Sequence, residues 1–405
     1  MIPLLKKSLF FIFLTIISTS CNARKTDVRE NTKSALKTIY NNPETAIKTG
    51  ADNYDKYLPL LKDKKIGIVT NQTGILSNKI HLVDFLLKKN SAIQKIFAPE
   101  HGFRGTADAG EHVIDAKDPK TGLPIISLYG DNRKPKAEQL AGIDILVFDL
   151  QDVGARFYTY ISSLHYIMET CAENNISLLI LDRPNPNGGI IDGPILEKEF
   201  TSFVGMHPIP LLHGMTIGEY AQMINGQKWL KNGVQCKLTV IPCTNYNRKK
   251  KYSLPVKPSP NLPNDQAVNL YASLCLFEGT NVSVGRGTEK QFQIYGSPYL
   301  PKSTFRFTPK PNFGAQNPVY NGIECHGEDL STHSEVTQLE LKWLIKAYET
   351  TADKSKFFNP FFSKLAGTKK LQQQIEKGIP EKKIRESWKE GLENFTKLRS
   401  KYLIY

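Results

Sequence analysis

Short apolar runs alternate with amphipathic stretches from about residue 52 to about residue 250. Spacing of apolar side chains predicts helices at 81–89 and 160–173, and Thr216 with Glu219 forms a capping box that predicts a further helix start. Continuous apolar strands that alternate with helices predict a parallel sheet covered on both faces, and hence an open, doubly wound α/β domain. The Ile, Val and Leu content predicts buried strands at 64–70, 93–98, 123–130, 143–150, 176–182 and 238–241.

The pattern changes after Pro255. A proline-rich passage at 257–265 leads into a region that mixes loops with short strands, and helical spacing returns at 335–348, 369–377 and 381–402. We predict a first domain at 52–254 and a smaller α+β domain at 255–405. The last helical stretch carries an apolar stripe that we interpret as core packing: Ile384, Trp388, Leu392, Phe395, Leu398 and Tyr402.

The N-terminus has the features of an export signal. Two lysines precede an apolar run at 8–17, and three small residues stand directly before Cys21. The apolar run is too short to cross a bilayer. The pattern resembles a bacterial lipoprotein signal at 1–20, in which Cys21 is lipidated, and an ordinary cleaved secretory signal is the alternative. Residues 21–51 are predicted to be a flexible tether. We therefore expect an exported protein of the bacterial cell envelope, anchored to a membrane through Cys21, on its periplasmic or surface side.

Charge and cysteine content narrow the class of partner. The 405 residues carry a net charge of +14, which suits an anionic partner. Basic and aromatic residues are mixed only at 248–252, so we do not expect nucleic acid binding. The five cysteines that follow Cys21 have no CxxC spacing, which favours buried free thiols over a disulfide framework or a zinc site.

The common cofactor motifs are missing from the sequence. Neither GxGxxG nor GxxxxGK[ST] follows a predicted strand, so we expect no nucleotide and no dinucleotide cofactor. His101 and His112 have no third ligand at recognisable spacing, so no metal is expected. A GxSxG nucleophile motif is missing as well, which argues against a serine hydrolase.

Polar residues follow four of the predicted strands. Ligands of open α/β sheets bind beyond the carboxyl ends of the strands, so these residues are the candidates for a site. The stretch FAPEHGFRG supplies three of them within five positions: Glu100, His101 and Arg104. The other strand ends supply Asn71, Asp149, Asp152, Arg156, Tyr158, Arg183 and Asn185, and His213 precedes the helix that starts near Thr216.

Acid/base work by carboxylates fits this set, as in glycoside hydrolysis. Glu100 is the candidate acid. The second carboxylate is sought among Asp149, Asp152, Asp182 and Glu278, and the candidates for clamping a substrate carboxylate are Arg156, Arg183 and Arg286. The alternative for each residue is structural: Asp149 and Asp182 brace loops, Asp152 pairs with Arg156, and each arginine forms an ordinary ion pair.

Seven motifs, in order over nearly the whole chain after the tether, carry a family resemblance. The chain resembles the exo-β-N-acetylmuramidase NamZ family. It departs from the family pattern at Val284, where many members have Glu, and at Gln291, where Pro is common. The motifs are TNQTG (70–74), APEHGFRG (98–105), VFDLQDVGARFYTYISSL (147–164), LDRPNPNGG (181–189), HGMTIGEYA (213–221), PSPNLP (258–263) and EGTNVSVGRGT (278–288).

The resemblance implies a Rossmann-like catalytic domain joined to a smaller C-terminal domain, with the site in the cleft between them. The implied activity is release of terminal N-acetylmuramic acid from the non-reducing end of peptidoglycan fragments, without NAD. The family's catalytic glutamate falls on Glu100. Catalysis is assigned to Glu100, His101 and Asp152, and substrate binding to Asn71, Arg104, Asp149, Arg156, Tyr158, Arg183, Asn185, His213, Glu278, Asn281 and Arg286.

Two questions stay open at the level of sequence. Either Asp149 or Asp152, with Asp152 favoured, acts as base or nucleophile, or the 2-acetamido group of the substrate attacks the anomeric carbon and the aspartate orients it. The rival class of protein is a tethered binding protein that captures sugar acids without cleaving them.

Overall fold

A seven-stranded sheet lies at the centre of the molecule. The computed structural model describes residues 45–103 and 116–405, and Ile47–Tyr405 form one compact unit. The order of the strands across the sheet is β3-β4-β2-β1-β5-β6-β7, and all neighbours are parallel except the antiparallel pair β3 and β4. The strands are β1 (Lys65–Thr70), β2 (Ala92–Ala98), β3 (Ala116–Lys117), β4 (Pro124–Ser127), β5 (Ile145–Asp149), β6 (Ser177–Leu181) and β7 (Leu238–Ile241).

The predicted doubly wound sheet is confirmed. Each of the six predicted runs coincides with one observed strand, of which β2 alone begins outside its run, one residue earlier. The strand order β4-β2-β1-β5-β6-β7 reverses between β1 and β5, as in Rossmann-like folds. The edge strand β3 was not predicted. It is two residues long and exposed, so it has no apolar pattern to detect.

Both faces of the sheet are covered. Successive side chains of β5 point to opposite faces: Leu146 and Phe148 join one apolar cluster, and Ile145 and Val147 join another. The first cluster continues through residues of the C-terminal part such as Phe292. The five cysteines of the described residues are free and buried, as predicted.

Helices pack on these faces. The predicted helix at 160–173 has the observed bounds, and the predicted capping box is present, since Glu219 N–H donates to Thr216 Oγ1 (3.3 Å) and Thr216 N–H donates to Glu219 Oε2 (3.0 Å). Within the described residues, no helix is long and apolar enough to span a bilayer. The helices are α1 (Tyr54–Leu61), α2 (Leu82–Lys88), α3 (Ala137–Leu140), α4 (Tyr160–Glu173), α5 (Ile217–Gly226), α6 (Asp265–Leu274), α7 (Lys342–Thr350), α8 (Phe361–Ala366), α9 (Lys370–Glu376), α10 (Glu381–Glu386) and α11 (Lys389–Arg399).

The C-terminal part is α+β, as predicted. Its sheet is antiparallel in the order β8-β10-β9, built from β8 (Ile294–Ser297), β9 (Arg306–Phe307) and β10 (Cys325–Asp329). The predicted apolar stripe is core packing: Ile384, Trp388 and Phe395 are buried in the main cluster, and Leu392, Leu398 and Tyr402 pack against it.

Two predicted helices differ from the structure. The stretch at 335–348 becomes helical only at Lys342, because the Leu339 N–H donates to Asp192 Oδ2 (2.8 Å) and the Glu340 N–H donates to Ser273 Oγ (2.9 Å). The stretch at 381–402 splits into α10 and α11. At the break, the Ser387 hydroxyl donates to the Ile384 carbonyl (2.6 Å), a local bond that competes with the helical ladder.

Candidate active site

A small cavity of about 60 Å³ opens beside the reversal point of the sheet. Six residues from the first half of the chain and five from the second half line it, so both halves are needed to form it. They are Glu100, His101, Phe157, Tyr158, Thr159 and Tyr160, with Ser259, Leu262, Tyr271, Arg286 and Phe292.

Glu100 enters the cavity from a tight turn after β2. The Gly102 N–H donates to the Pro99 carbonyl (3.0 Å), and His101 takes a left-handed conformation with φ of 72°. Few non-glycine residues adopt this conformation, although histidine does so more readily than most. The Thr159 hydroxyl donates to Glu100 Oε2 (2.8 Å). The turn and this bond fix the carboxylate at the cavity wall, where the predicted acid was expected.

Two tyrosines form the adjacent wall. The rings of Tyr158 and Tyr160 meet edge to face with centroids 4.8 Å apart, and Tyr158 donates to the Pro258 carbonyl (2.8 Å). Asn71 Nδ2 donates to the Tyr160 hydroxyl (2.7 Å). Burial raises the pKa of both phenols, and the charge of Glu100 raises that of Tyr160 further. Both tyrosines therefore stay neutral and able to donate hydrogen bonds.

Asp149 and Arg183 form a buried bidentate ion pair. Arg183 Nε lies 2.6 Å from Asp149 Oδ1, and its Nη2 lies 2.9 Å from Oδ2 and 3.0 Å from the Ile75 carbonyl. Neither side chain lines the cavity. The pair braces the ends of β5 and β6, and the predicted contact with substrate stays untested.

The guanidinium of Arg156 is also committed within the protein. Its Nη1 donates to the carbonyls of Pro194 and Ile209, and its Nη2 to those of Leu365 and Ala366, at 2.7–3.0 Å. Desolvation by burial lowers its pKa to about 9. Because four backbone carbonyls hold this side chain, it ties the two halves of the chain together. Its predicted pairing with Asp152 is not among its contacts.

Asp152 and His213 form a second buried group. Asp152 Oδ2 accepts from the Gly154 N–H (2.6 Å) and lies 3.8 Å from His213 Nε2. Burial raises the pKa of Asp152 to about 7 and lowers that of His213 to about 3. Among the described residues, Asp152 Oδ1 and His213 Nε2 have no hydrogen-bond partner. Asn185 packs directly against Gly154 beside this pair. A Cβ atom at Gly154 would lie only 2.4 Å from Asn185 Oδ1.

Arg286 brings a charge to the cavity from the second half of the chain, and Glu278 pairs with it. Arg286 Nε lies 2.6 Å from Glu278 Oε1, and the guanidinium lies 5.1 Å from the centre of the Phe292 ring. Of the three arginines predicted to clamp a carboxylate, Arg286 is the one that lines the cavity. Asn281 does not line it, and its backbone carbonyl accepts from the Tyr320 hydroxyl (2.7 Å).

Two predicted site residues lie outside the described part of the chain, and some residues that line the cavity were not predicted. Arg104 and Cys21 lie outside the described residues. Thr159, Tyr271 and Phe292 line the cavity although they were not among the predicted site residues, and Tyr160, which follows the same strand as Tyr158, lines it as well. Thr159 and Tyr160 fall within the long motif at 147–164, which was the available signal. The described residues contain no group of three His, Cys, Asp or Glu side chains placed to hold a metal.

Comparisons with known families cover nearly all of the described chain. Residues 66–266 match the family described as exo-β-N-acetylmuramidase NamZ, N-terminal, and residues 269–405 match the corresponding C-terminal family. The peptidoglycan β-N-acetylmuramidase NamZ of Bacillus subtilis is 40% identical over 388 residues, which span 89% of this chain and 91% of that protein.

Two solved structures are also similar. A DUF1343 family protein from Bacteroides fragilis is 46% identical, with a TM-score of 0.83 over 89% of this chain and 99% of that one. A second DUF1343 family protein from the same organism is 28% identical, with a TM-score of 0.74 over 90% of this chain and 100% of that one. The sheet and its helices are thus shared with experimentally determined structures.

Proposed function

Because this chain belongs to the exo-β-N-acetylmuramidase NamZ family, we propose that it releases terminal N-acetylmuramic acid from the non-reducing end of peptidoglycan fragments, with Glu100 as the general acid. The chain is a glycoside hydrolase, which argues against the alternative of a binding protein that captures sugar acids without cleaving them. The observation that carries the proposal is the position of Glu100, which faces the cavity and is held by Thr159 over 2.8 Å. Proton donation to the leaving oxygen requires a carboxyl group at such a position.

Arg286 is the proposed anchor for the substrate's own carboxylate. The lactyl group of N-acetylmuramic acid carries a negative charge that N-acetylglucosamine lacks. Arg286 faces the cavity, and Glu278 holds its Nε over 2.6 Å. A guanidinium held through Nε presents its terminal nitrogens as a fork for a second carboxylate.

The second catalytic role is proposed to belong to the substrate. Glu100 is the one carboxylate among the described residues that line the cavity. We therefore assign the attack on the anomeric carbon to the 2-acetamido group, after which Glu100, now deprotonated, activates the water that completes hydrolysis. Asp152 does not line the cavity, and its ionised form adds to the burial that raises the pKa of Tyr158 and Tyr160, which form the cavity wall. It acts as a positioning residue in this scheme.

Export and lipid anchoring at Cys21 remain part of the proposal. They rest on the sequence pattern of residues 1–21. A glycosidase that acts on cell-wall fragments meets its substrate outside the cytoplasm, which agrees with an export signal.

The direct test uses two disaccharides that differ only in the order of their sugars. The purified protein is incubated with N-acetylmuramyl-β-1,4-N-acetylglucosamine and with N-acetylglucosaminyl-β-1,4-N-acetylmuramic acid, and the free sugars are identified by mass spectrometry. We expect hydrolysis of the first alone. Hydrolysis of the second, or of neither, would overturn the proposed activity.

A further inference from the structure

Phe313 projects into solvent from a turn that is closed by backbone hydrogen bonds. Its side chain is 66% exposed, the highest value among the large apolar side chains of the described residues. Asn312 and Ala315 exchange backbone hydrogen bonds of 3.0 and 3.2 Å, and Asn312 Oδ1 accepts from the Gly314 N–H (3.2 Å). An aromatic ring fixed outside the core contributes little to folding, so its position calls for another explanation.

This 312–315 turn is attached to both loops that form the C-terminal wall of the cavity. Asn261 lies two positions after the lining residue Ser259. Its Nδ2 donates to the Gly314 carbonyl (2.5 Å). Asn312 Nδ2 donates to the carbonyl of Thr288, two residues after Arg286 (3.1 Å). The turn that carries Phe313 is therefore hydrogen-bonded to two loops that line the cavity.

Several exposed apolar side chains lie close to Phe313 in the sequence. Residues 299–323 carry four of the eight large apolar side chains that are exposed in the described residues: Tyr299, Phe313, Val319 and Ile323. The other four are distributed over residues 54, 60, 361 and 404. Clustered exposed apolar side chains mark binding surfaces more often than single ones do.

The cavity is too small to enclose a saccharide substrate. At about 60 Å³ it is far smaller than the pockets of roughly 300–1,000 Å³ that enclose small ligands, so most of a saccharide substrate must lie outside it. A pyranose ring has an apolar face of C–H groups and a rim of hydroxyls, which suits an exposed aromatic ring with water around it.

We propose that Phe313 is a stacking platform for the sugar on the leaving-group side of the scissile bond. This inference rests on the proposed function, because it needs the glycosidic bond of the terminal sugar to lie at Glu100, at the mouth of the cavity. The second sugar then extends over the 312–315 turn, and its apolar face packs on the Phe313 ring. Phe313 sets affinity for the fragment and takes no part in bond cleavage.

The first experiment compares two substrates that share the terminal sugar. One is N-acetylmuramyl-N-acetylglucosamine, and the other is the methyl β-glycoside of N-acetylmuramic acid, which has no second sugar. We expect Phe313→Ala to lower kcat/KM for the disaccharide about tenfold, which corresponds to about 1.4 kcal/mol, and to leave that for the methyl glycoside within twofold. Phe313→Tyr keeps the ring and should retain wild-type values. Phe361→Ala, which removes another exposed phenylalanine, is the matched control. Equal effects of Phe313→Ala on both substrates, or no effect, would refute the platform.

Direct binding separates this inference from the proposed activity. The dissociation constant of the disaccharide is measured by calorimetry with Glu100→Gln, alone and combined with Phe313→Ala. Weaker binding in the double variant supports the platform even if the wild-type protein cleaves nothing, in which case only the proposed activity fails. Unchanged binding overturns the platform. A loss confined to fragments that carry a peptide stem would assign the surface to peptide and overturn the sugar platform as well.

Discussion

The hydroxyl of Thr159 donates a 2.8 Å hydrogen bond to the carboxylate of Glu100, although the two residues are 59 positions apart. Glu100 belongs to the turn after β2, and Thr159 lies between β5 and α4, so the bond joins segments that follow the carboxyl ends of two strands separated by β1. It leaves Glu100 oriented by one partner while the side chain faces the cavity.

Glu100→Gln is expected to lower kcat by about 100-fold or more, the usual contribution of acid/base catalysis. The amide still accepts the Thr159 hydrogen bond, so the fold should be unchanged. Release of N-acetylmuramic acid from the disaccharide measures turnover, and thermal unfolding checks the fold. Turnover near that of the wild type would exclude Glu100 as the acid.

Thr159→Val removes the bond that orients Glu100. A hydrogen bond to a charged group contributes about 1.5–3 kcal/mol, so kcat should fall about tenfold or more. Thr159→Ser keeps the hydroxyl and serves as the matched control, with activity within a few-fold of the wild type. If the valine and serine variants behave alike, the hydroxyl has no role in orienting the acid.

Arg286→Gln should remove the preference for a sugar with a lactyl carboxylate. We expect kcat/KM for the muraminide to fall by about 10–100-fold, and that for the matching N-acetylglucosaminide to stay low and unchanged. Arg306→Gln, which removes an exposed arginine paired with Glu324, is the control. Retained selectivity in the Arg286 variant would contradict the anchor.

Asp152→Asn should stabilise the protein increasingly as pH rises from about 4 to about 7. Burial raises the pKa of this carboxyl from 3.8 to about 7. Below pH 4 both the folded and the unfolded chains hold the proton, so the variant gains nothing. At higher pH the unfolded chain releases the proton first, so the unfolding free energy of the wild type falls by up to about 4 kcal/mol. The amide side chain of the variant does not titrate, so the variant does not lose this free energy.

Urea unfolding of both proteins at pH 4, 5.5 and 7 measures this difference in unfolding free energy, with the exposed Asp131→Asn as the control. A pH-independent difference would contradict the raised pKa. The same variant should lower turnover strongly without abolishing it, since Asp152 is proposed to act through the tyrosine wall. Complete loss of turnover would instead favour Asp152 as base or nucleophile.

A disaccharide with hydroxyl in place of the 2-acetamido group should not be cleaved, since it lacks the proposed nucleophile. Its binding to Glu100→Gln, measured by calorimetry, tells a loss of recognition from a loss of participation. Cleavage of this compound at a rate near that of the natural disaccharide would exclude attack by the acetamido group.

Cys21→Ser is expected to move the protein from the membrane fraction to the soluble fraction of the cells that express it. The substitution removes the thiol that would carry the lipid. Fractionation followed by immunoblotting measures the shift. Membrane association that persists unchanged would argue for a different attachment.

The sequence by itself determined six of the seven strands of the sheet, the boundaries of α4 and the position of Glu100 after β2, because each depends on local order along the chain. Apolar runs, helical spacing and the turn at 99–102 involve only near neighbours. The motifs also identified the family. A predicted helix bound differs from the observed one where a distant side chain, such as Asp192, binds the backbone and delays the start of the helix.

Only the tertiary structure decided which of the candidate charges face the cavity. Asp149 and Arg183 satisfy each other, and Arg156 is held by carbonyls as far along the chain as Ala366, whereas Arg286 reaches the cavity from the second half. An arginine has the same appearance in a sequence whether its partner is protein or ligand. Its role depends on which groups the folded chain brings within hydrogen-bond distance, and for Arg156 two of those groups lie 209 and 210 residues away along the chain.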